Sequence, residues 1–351
     1  MGDSKVVTAR KKVLVTGGAG YIGAHTAVAL HESGFQPVLV DNFSKSDRTL
    51  LHGLSRLMGT SPQFYEGDCK DKHFLKKVFE KEIDITAVMH FAAYKSVAES
   101  VEKPVMYYHN NINSLLSLLE AMQEHGVMYF VFSSSCTVYG EPERIPVDER
   151  APFRKAASPY GATKQMGETI LEDATRANKN LQVVSLRYFN PIGAHPSTLI
   201  GELPLDRPDN LVPYITQTAV GKRKKLVIFG NDYDTPDGTC IRDFIHVVDL
   251  AHAHVAAVQK LIAREINEPF DAFNLGTGEG VSVLQLVKEF ISATGADLPY
   301  EMGPRRPGDV VRTFAQADKA QKALGWQTKY SLREALQHAW AWEKKISNLE
   351  K

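Results

Sequence analysis

Short apolar runs alternate with longer stretches of helical periodicity through the first half of the chain. Residues 13–16 (VLVT), 37–41 (PVLVD), 63–68, 85–92, 129–133 and 183–187 read as strands. Helical patterns separate them: one runs to residue 31 and stops near Gly34, and others cover 72–81, 105–125 and 159–177. Alternating strands and helices predict a parallel, doubly wound α/β sheet. Beyond Asn190 proline and glycine become frequent and the segments shorten to 210–221, 225–229, 282–293 and 316–324. That texture predicts a smaller mixed α/β lobe built from insertions. The stretch 243–260 and a strand at 272–275 are expected to return to the large lobe. The last residues, KKISNLEK, are expected to fray.

At 351 residues, 43% apolar and 23% charged, the chain can bury a large core in two packed regions. Lys+Arg and Asp+Glu both number 41, so no global charge points to nucleic acid or an acidic membrane surface. No apolar run approaches the roughly 18 residues of a spanning helix, and the opening MGDSKVVTARKK lacks the apolar centre of a secretory signal. Gly2 opens a myristoylation-like start, but Val6 stands where that signal needs Ser or Thr. Cys69, Cys136 and Cys240 have no paired spacing. Neither disulfides nor a metal is therefore expected, and the reducing cytoplasm is the expected compartment.

The strand at 13–16 enters Gly17-Gly-Ala-Gly20-Tyr-Ile-Gly23, and a helix follows. Gly17, Gly20 and Gly23 would give a tight turn, close approach to a pyrophosphate and close helix packing, with the helix N-terminus facing the phosphates. Gly18-x-Gly20-x-x-Gly23 fits the same pattern, so spacing leaves the frame open. Asp41 ends the second strand, where a carboxylate binds a ribose diol and repels a 2′-phosphate; this favours NAD over NADP. Residues 11–189, with return segments about 243–278, are thus expected to be a Rossmann-type NAD-binding domain. Residues 190–242 and 279–345 would form the substrate lobe.

Ser133-Ser-Ser-Cys-Thr137 follows the apolar run 130–132, at the carboxyl end of a parallel strand, where open α/β sheets bind ligands. Tyr160 and Lys164, four apart, share one helix face, and Pro159 suits a helix start. An ammonium beside a phenol favours phenolate and predicts a lowered Tyr160 pKa, hence a base toward a hydroxyl. Serine, tyrosine and lysine downstream of a dinucleotide turn spell alcohol oxidation, or a reaction passing through it.

These residues resemble the extended short-chain dehydrogenases/reductases and, more narrowly, the UDP-galactose 4-epimerase family over almost the whole length. The matching stretches are VLVTGGAGYIG, VDNFS, HFAAYKSVAESVEKP, FSSSCTVYG, SPYGATK, LRYFNPIGAHP, IFGNDYDTPDGTCIRDFIHVVDLA, NLGTG and RRPGDV. The resemblance implies a phosphate turn of Gly17, Gly20 and Gly23 with Tyr21 and Ile22, adenosine-ribose ligands Asp41 and Asn42, and an adenine-side pair Asp68 and Cys69. It places Lys95, Asn110 and Phe189 near the nicotinamide end. It makes Ser135, Tyr160 and Lys164 catalytic, the lysine on the nicotinamide ribose. UDP-binding positions are Asn190, Asn210, Leu211, Phe229, Arg242, Arg306 and Asp309. The implied reaction removes the sugar 4-hydroxyl proton at Tyr160, aided by Ser135, moves the C4 hydride to tightly retained NAD and returns it to the opposite face of a rotated 4-keto sugar. A homodimer through the helix at 105–125 and the Tyr160 helix is also implied.

Nucleotide-sugar 4,6-dehydratases resemble the chain but carry Thr-Asp-Glu where Ser135-Cys136-Thr137 stands, so the acid and base for elimination are missing. Uronate epimerases and decarboxylases share the Ser/Tyr/Lys set but match the substrate-lobe motifs less well. A non-catalytic NAD sensor would not need the Tyr/Lys pair. Ala93 stands where the family commonly has Gly, and Cys136 where it has Ala. Thr313 occupies a pocket position that is Tyr in some members and Cys or Ser in others. A small residue there leaves room for an N-acetyl group, so UDP-N-acetylhexoses are expected substrates too. No mutarotase-like segment is expected after the epimerase-like region.

Overall fold

The computed structural model describes residues 10–205, 207–306 and 309–349; the Gly2 and Val6 positions lie outside them. In chain order the strands are β1 Lys12–Thr16, β2 Gln36–Asp41, β3 Gln63–Glu66, β4 Ile85–His90, β5 Tyr129–Ser135, β6 Gln182–Tyr188, β7 Asn190–Ile192, β8 Leu226–Phe229, β9 Ile241–Arg242, β10 Phe244–His246, β11 Phe270–Leu275, β12 Val281–Ser282, β13 Tyr300–Gly303 and β14 Arg312–Thr313. The helices are α1 Tyr21–Glu32, α2 Thr49–Met58, α3 Lys72–Lys81, α4 Val97–Glu102, α5 Pro104–Glu124, α6 Pro159–Ala177, α7 Leu211–Ala219, α8 Val247–Ile262, α9 Val283–Thr294, α10 Asp318–Leu324 and α11 Leu332–Leu349.

Seven strands form one sheet in the order β11-β6-β5-β4-β1-β2-β3, with every adjacent pair parallel. The order reverses direction at β1, leaving a crevice at the carboxyl ends of β1 and β4. Val13, Leu14 and Val15 are fully buried because both faces are covered. α1, α2 and α8 pack on one face, and α3, α5 and α6 on the other.

The second lobe has its own core of Ile192, Val212, Ile215, Ile228, Phe244, Leu286, Phe290 and Leu336. Asp243, fully buried, fastens it to the sheet. Its Oδ1 accepts from the backbone N–H and hydroxyl of Thr277 (both 2.8 Å), and its Oδ2 from Gly278 and Ala315 N–H (both 3.1 Å).

Four departures from the sequence reading have physical causes. The serines at 133–135 continue β5, paired with Leu186, Arg187 and Tyr188, instead of following it. α2 is an addition; its amphipathic face buries Leu50 and Leu54 on the α1 side. α4 is a second addition, capped by the Ser96 hydroxyl and separated from α5 at Pro104, which cannot continue a helix but suits the first turn of one. The tail expected to fray is helical to Leu349, because Ile346 and Ser347 are buried and Ser347 donates to Glu343.

Candidate active site

The glycine turn is built by close approach. Gly17 has φ +70, which favours glycine, and a Cβ there would lie 2.8 Å from the Ala92 nitrogen. A Cβ on Gly23 would lie 2.2 Å from the Gly17 carbonyl oxygen. Gly20 caps α1 with no side chain, leaving the helix N-terminus open for an anion. Tyr21 donates its hydroxyl to the Gly193 carbonyl (2.7 Å), tying this turn to the second lobe.

Asp41 is buried at the end of β2. Its Oδ2 accepts from Ala19 N–H (3.1 Å), its Oδ1 from Phe43 N–H (2.9 Å) and the Ser46 hydroxyl (2.7 Å). A carboxylate has about four acceptor sites, so capacity remains for a diol. Asn42 donates to Asp68 (3.2 Å). Burial would raise the Asp68 pKa, but hydrogen bonds and charge from Lys70 hold it below its ordinary value. Lys70 also reaches Asn110 (3.0 Å), a link that sequence separation hides. Burial pushes the neighbouring Cys69 thiol up to about 12, so it is a packing group at neutral pH.

Ser135 is the last residue of β5, and its hydroxyl accepts from Thr137 N–H (3.3 Å). α6 starts at Pro159 with the Ser158 hydroxyl accepting from Gly161 N–H (3.2 Å), which fixes Tyr160 and Lys164 on the face toward β5. Lys164 donates to the Ser133 carbonyl (2.5 Å), and its Nζ lies 5.9 Å from the Tyr160 ring centroid.

The expected lowering of the Tyr160 pKa is corrected here. Burial pushes the phenol well above its ordinary value, with Tyr188 adding to the rise, and the nearby Ser135 hydroxyl opposes only part of it. Burial also pulls Lys164 down to about 8, against the opposing charge of Glu168. Desolvation of both groups outweighs what helix spacing alone suggests.

On the second lobe, Arg242 and Arg306 converge on one carboxylate, Asp309 Oδ1, at 3.7 and 2.7 Å. Arg306 stacks over the Phe229 ring at 5.9 Å. Thr313 pairs with Arg242 across β14 and β9. Asn210 precedes α7, which starts at Leu211, and donates to Glu202 (2.5 Å); Lys95 donates to the same Glu202 oxygen (3.0 Å). Asn190 opens β7. Phe189 is buried with Val138, Tyr139, Val147 and Ala315. Glu202 escaped the sequence reading, its partner Lys95 lying 107 positions away.

A seven-stranded doubly wound sheet, a glycine turn closed on itself and a Ser/Tyr/Lys row define an extended short-chain dehydrogenase/reductase. The family profile described as GDP-mannose 4,6 dehydratase matches residues 14–339. The chain is 48% identical over 336 residues to UDP-glucose 4-epimerase of Yersinia enterocolitica, covering 96% of this chain and 98% of the relative. It superposes with TM-score 0.91 at 43% identity on UDP-glucose 4-epimerase from Bifidobacterium longum in complex with NAD⁺ and UDP, covering 96% of this chain and 99% of that one. The UDP-Glc/GlcNAc 4-epimerase of Campylobacter jejuni superposes with TM-score 0.81 at 38% identity, covering 95% and 99%. The chain belongs to the UDP-glucose 4-epimerase family.

Proposed function

We propose that this protein interconverts UDP-galactose and UDP-glucose by inverting C4 of the hexose, as an NAD-dependent epimerase. The observation that carries the reading is the row at the carboxyl end of β5: Ser135 ends the strand, Tyr160 and Lys164 lie one turn apart on α6, and Lys164 donates to the Ser133 carbonyl. The residues fit NAD: a Cβ would fill the glycine turn, and the buried Asp41 carboxylate suits a ribose diol and repels a 2′-phosphate. When bound, NAD supplies the acceptor and donor of the C4 hydride and adds a positive charge to the cleft.

The chain's own groups handle the proton and the nucleotide. Tyr160 Oη takes the 4-hydroxyl proton and gives it back, and Ser135 Oγ hydrogen-bonds the same oxygen. Lys164 favours the phenolate, opposing the burial that raises the phenol. Arg242 and Arg306 suit a diphosphate, because guanidinium forks match phosphate oxygens; UDP would take them over from Asp309. Asn210, Leu211, Asn190 and Phe229 complete the UDP contacts, and Lys95 serves the nicotinamide and sugar side. Residues 11–189 and about 243–278 hold the dinucleotide; 190–242 and 279–345 hold the UDP-sugar. Strong hold on the nucleotide leaves the hexose free to present either face.

Dehydration is disfavoured despite the name of the matching family profile. Burial pushes Cys136 up to about 12, and Thr137 has a buried hydroxyl without a hydrogen-bond partner among the described residues. Neither can supply an acid near neutrality. Thr313 is half-buried beside Arg242; a small side chain there would leave room for an N-acetyl group, and one structural neighbour is named for both sugar types.

Incubating purified protein without added NAD, separately with UDP-galactose and UDP-N-acetylgalactosamine, tests both readings by chromatography. UDP-glucose is the expected first product and UDP-N-acetylglucosamine the second. An empty second tube alone removes the acetylated activity; two empty tubes that stay empty after NAD is added remove the epimerase.

The protein is further read as a homodimer through α5 and α6. Val97, Val101 and Val105 are exposed at 45%, 62% and 77% on α4 and the start of α5, with Leu116 on α5 and Met166 on α6 also exposed. Clustered apolar exposure marks an interaction surface. Sedimentation equilibrium should give twice the chain mass; a monomer at micromolar concentration would refute it. No described helix is long and apolar enough to cross a membrane. The three cysteines are free, which suits a reducing cytoplasm.

A further inference from the structure

Glu168 lies one turn beyond Lys164 on α6, so Tyr160, Lys164 and Glu168 form a row along the helix. It is 2% exposed. Its carboxylate accepts from Ser134 Oγ on β5 (2.5 Å) and Ser185 Oγ on β6 (2.9 Å). Arg187 on β6 donates to both oxygens, through Nε at 3.0 and 3.1 Å and Nη2 at 2.6 Å. Arg187 also donates to the Tyr139 phenol (3.1 Å) and the Glu149 carbonyl (3.2 Å). Ser134 sits between Ser133, whose carbonyl accepts from Lys164, and Ser135, the last residue of β5 and the serine assigned to the reaction.

We propose that Glu168 is a positioning residue for the reaction: by holding Ser134 it sets the strand end that offers the Ser133 carbonyl to Lys164 and the Ser135 hydroxyl to Tyr160, and it places the balancing negative charge behind Lys164. This rests on the assignment of Ser135, Tyr160 and Lys164 given above. Stability alone is a poor account of the pair, since desolvating two charges offsets much of their attraction and apolar residues could fill the same space. Its location under the reacting row is what the positioning role requires.

The groups around Lys164 make Glu168 singular. Tyr160 shares its helix, and Tyr107 on α5 also raises the Tyr160 phenol. His90 on β4 is neutral, lowered to about 3 by burial and by Lys164. Phe132 on β5 presents its ring 4.9 Å from Nζ. Tyr188 on β6 is bonded to Ser133 and raised to about 12 by burial. Arg187 is occupied by Glu168. Among these groups Glu168 is the one carboxylate, paired with Arg187, and its charge opposes the burial that pulls Lys164 down to about 8. Removing that charge lets Lys164 lose its proton at lower pH.

The test is the pH profile of kcat with UDP-galactose for the NAD-loaded wild type, Glu168→Gln, Glu168→Asp and the double variant Glu168→Gln/Arg187→Gln. Glu168→Gln should lose about tenfold in kcat near pH 8, with KM little changed, and its alkaline limb should move about one unit toward acid. Glu168→Asp, which keeps the charge, should keep the wild-type limb. The double variant leaves no unpaired guanidinium and carries the test if the single Gln variant does not fold; it should show the displaced limb. A limb that coincides with wild type in the folded Gln variants would overturn the proposal and leave Glu168 a structural group. A wild type without epimerase activity would fail earlier, at the proposed function itself, and remove the proposal with it.

Discussion

Replacing Tyr160 with phenylalanine should reduce kcat for UDP-galactose by roughly 10²–10⁴-fold, the usual contribution of a positioned general base, while KM changes little. The asymmetry follows from where the hydroxyl sits. Tyr160 is buried on the face of α6 toward the end of β5, whereas the groups proposed to hold UDP belong to the second lobe. Deleting one phenol oxygen therefore removes a proton-transfer group and leaves the nucleotide contacts. The ring stays, so packing against the Lys164 stem is retained and the thermal midpoint should hold. Isothermal titration with UDP should give the wild-type affinity. A Tyr160→Phe variant that keeps more than a tenth of wild-type kcat would refute the assignment of the base. A variant that loses UDP affinity along with turnover would point to a collapsed site. Burial opposes ionisation of this phenol, so the positive charges of Lys164 and of bound cofactor must supply the reverse push. Activity in the wild type should accordingly fade as pH rises past about 8, where Lys164 gives up its charge.

Elements with strong local signals were legible in the sequence. α6 could be placed to the residue, because Ser158 caps it, Pro159 suits its first turn and its apolar face has helical period. β1, β2 and the glycine turn were legible for the same reason: apolar runs covered on both faces, then glycines where no Cβ fits. The end of β5 was not, because three serines carry no strand propensity and are held by pairing with β6, which lies some fifty residues on. α2 is short and carries Gly53 at its centre, a poor helix former. That glycine is required by the close approach of the Leu199 carbonyl, from a loop far along the chain. Site residues with family motifs could be named, but the carboxylates beneath them could not. Glu168 meets Arg187 across 19 positions and Glu202 meets Lys95 across 107, and no pattern in one sequence encodes such a meeting. The sign of the Tyr160 shift failed for a related reason: helix spacing reports a neighbour's charge and says nothing about how much water the fold removes.

Lowering the pH from 7 to 5 should abolish most of the protein's stability, through histidines buried without charge. Burial lowers His25 to about 3, His90 to about 3, His246 to about 2 and His254 to about 4. The hydrogen bonds explain why protonation is resisted. His25 and His254 each use Nδ1 on the carbonyl one turn back, Tyr21 and Leu250, and leave a buried Nε2 with no partner among the described residues. His246 accepts from Val248 N–H, stacks on Tyr330 at 4.2 Å and faces His338 at 3.0 Å, so a charge there meets a second imidazole. In the unfolded chain each ring takes a proton near 6.5. The folded pKa values are depressed, so the penalty is absent above about pH 6.5, grows below it, and saturates only beneath the folded values. By pH 5 each ring contributes about 2 kcal/mol, and the four together roughly 8 kcal/mol, against a total stability of about 5–15 kcal/mol. Buried Asp243 and Asp249, both raised by desolvation, pull the other way but act only where carboxylates begin to protonate. The thermal midpoint should be flat above pH 7 and fall steeply below 6, with unfolding at pH 5 taking up several protons by calorimetry in buffers of different ionisation heat. His254→Leu, whose ring lies against Phe91 and Tyr188, should shallow the acid limb by the share of one proton. A midpoint unchanged down to pH 5 would mean that these rings are charged in the fold, and that the packing around α1 and α8 solvates them after all.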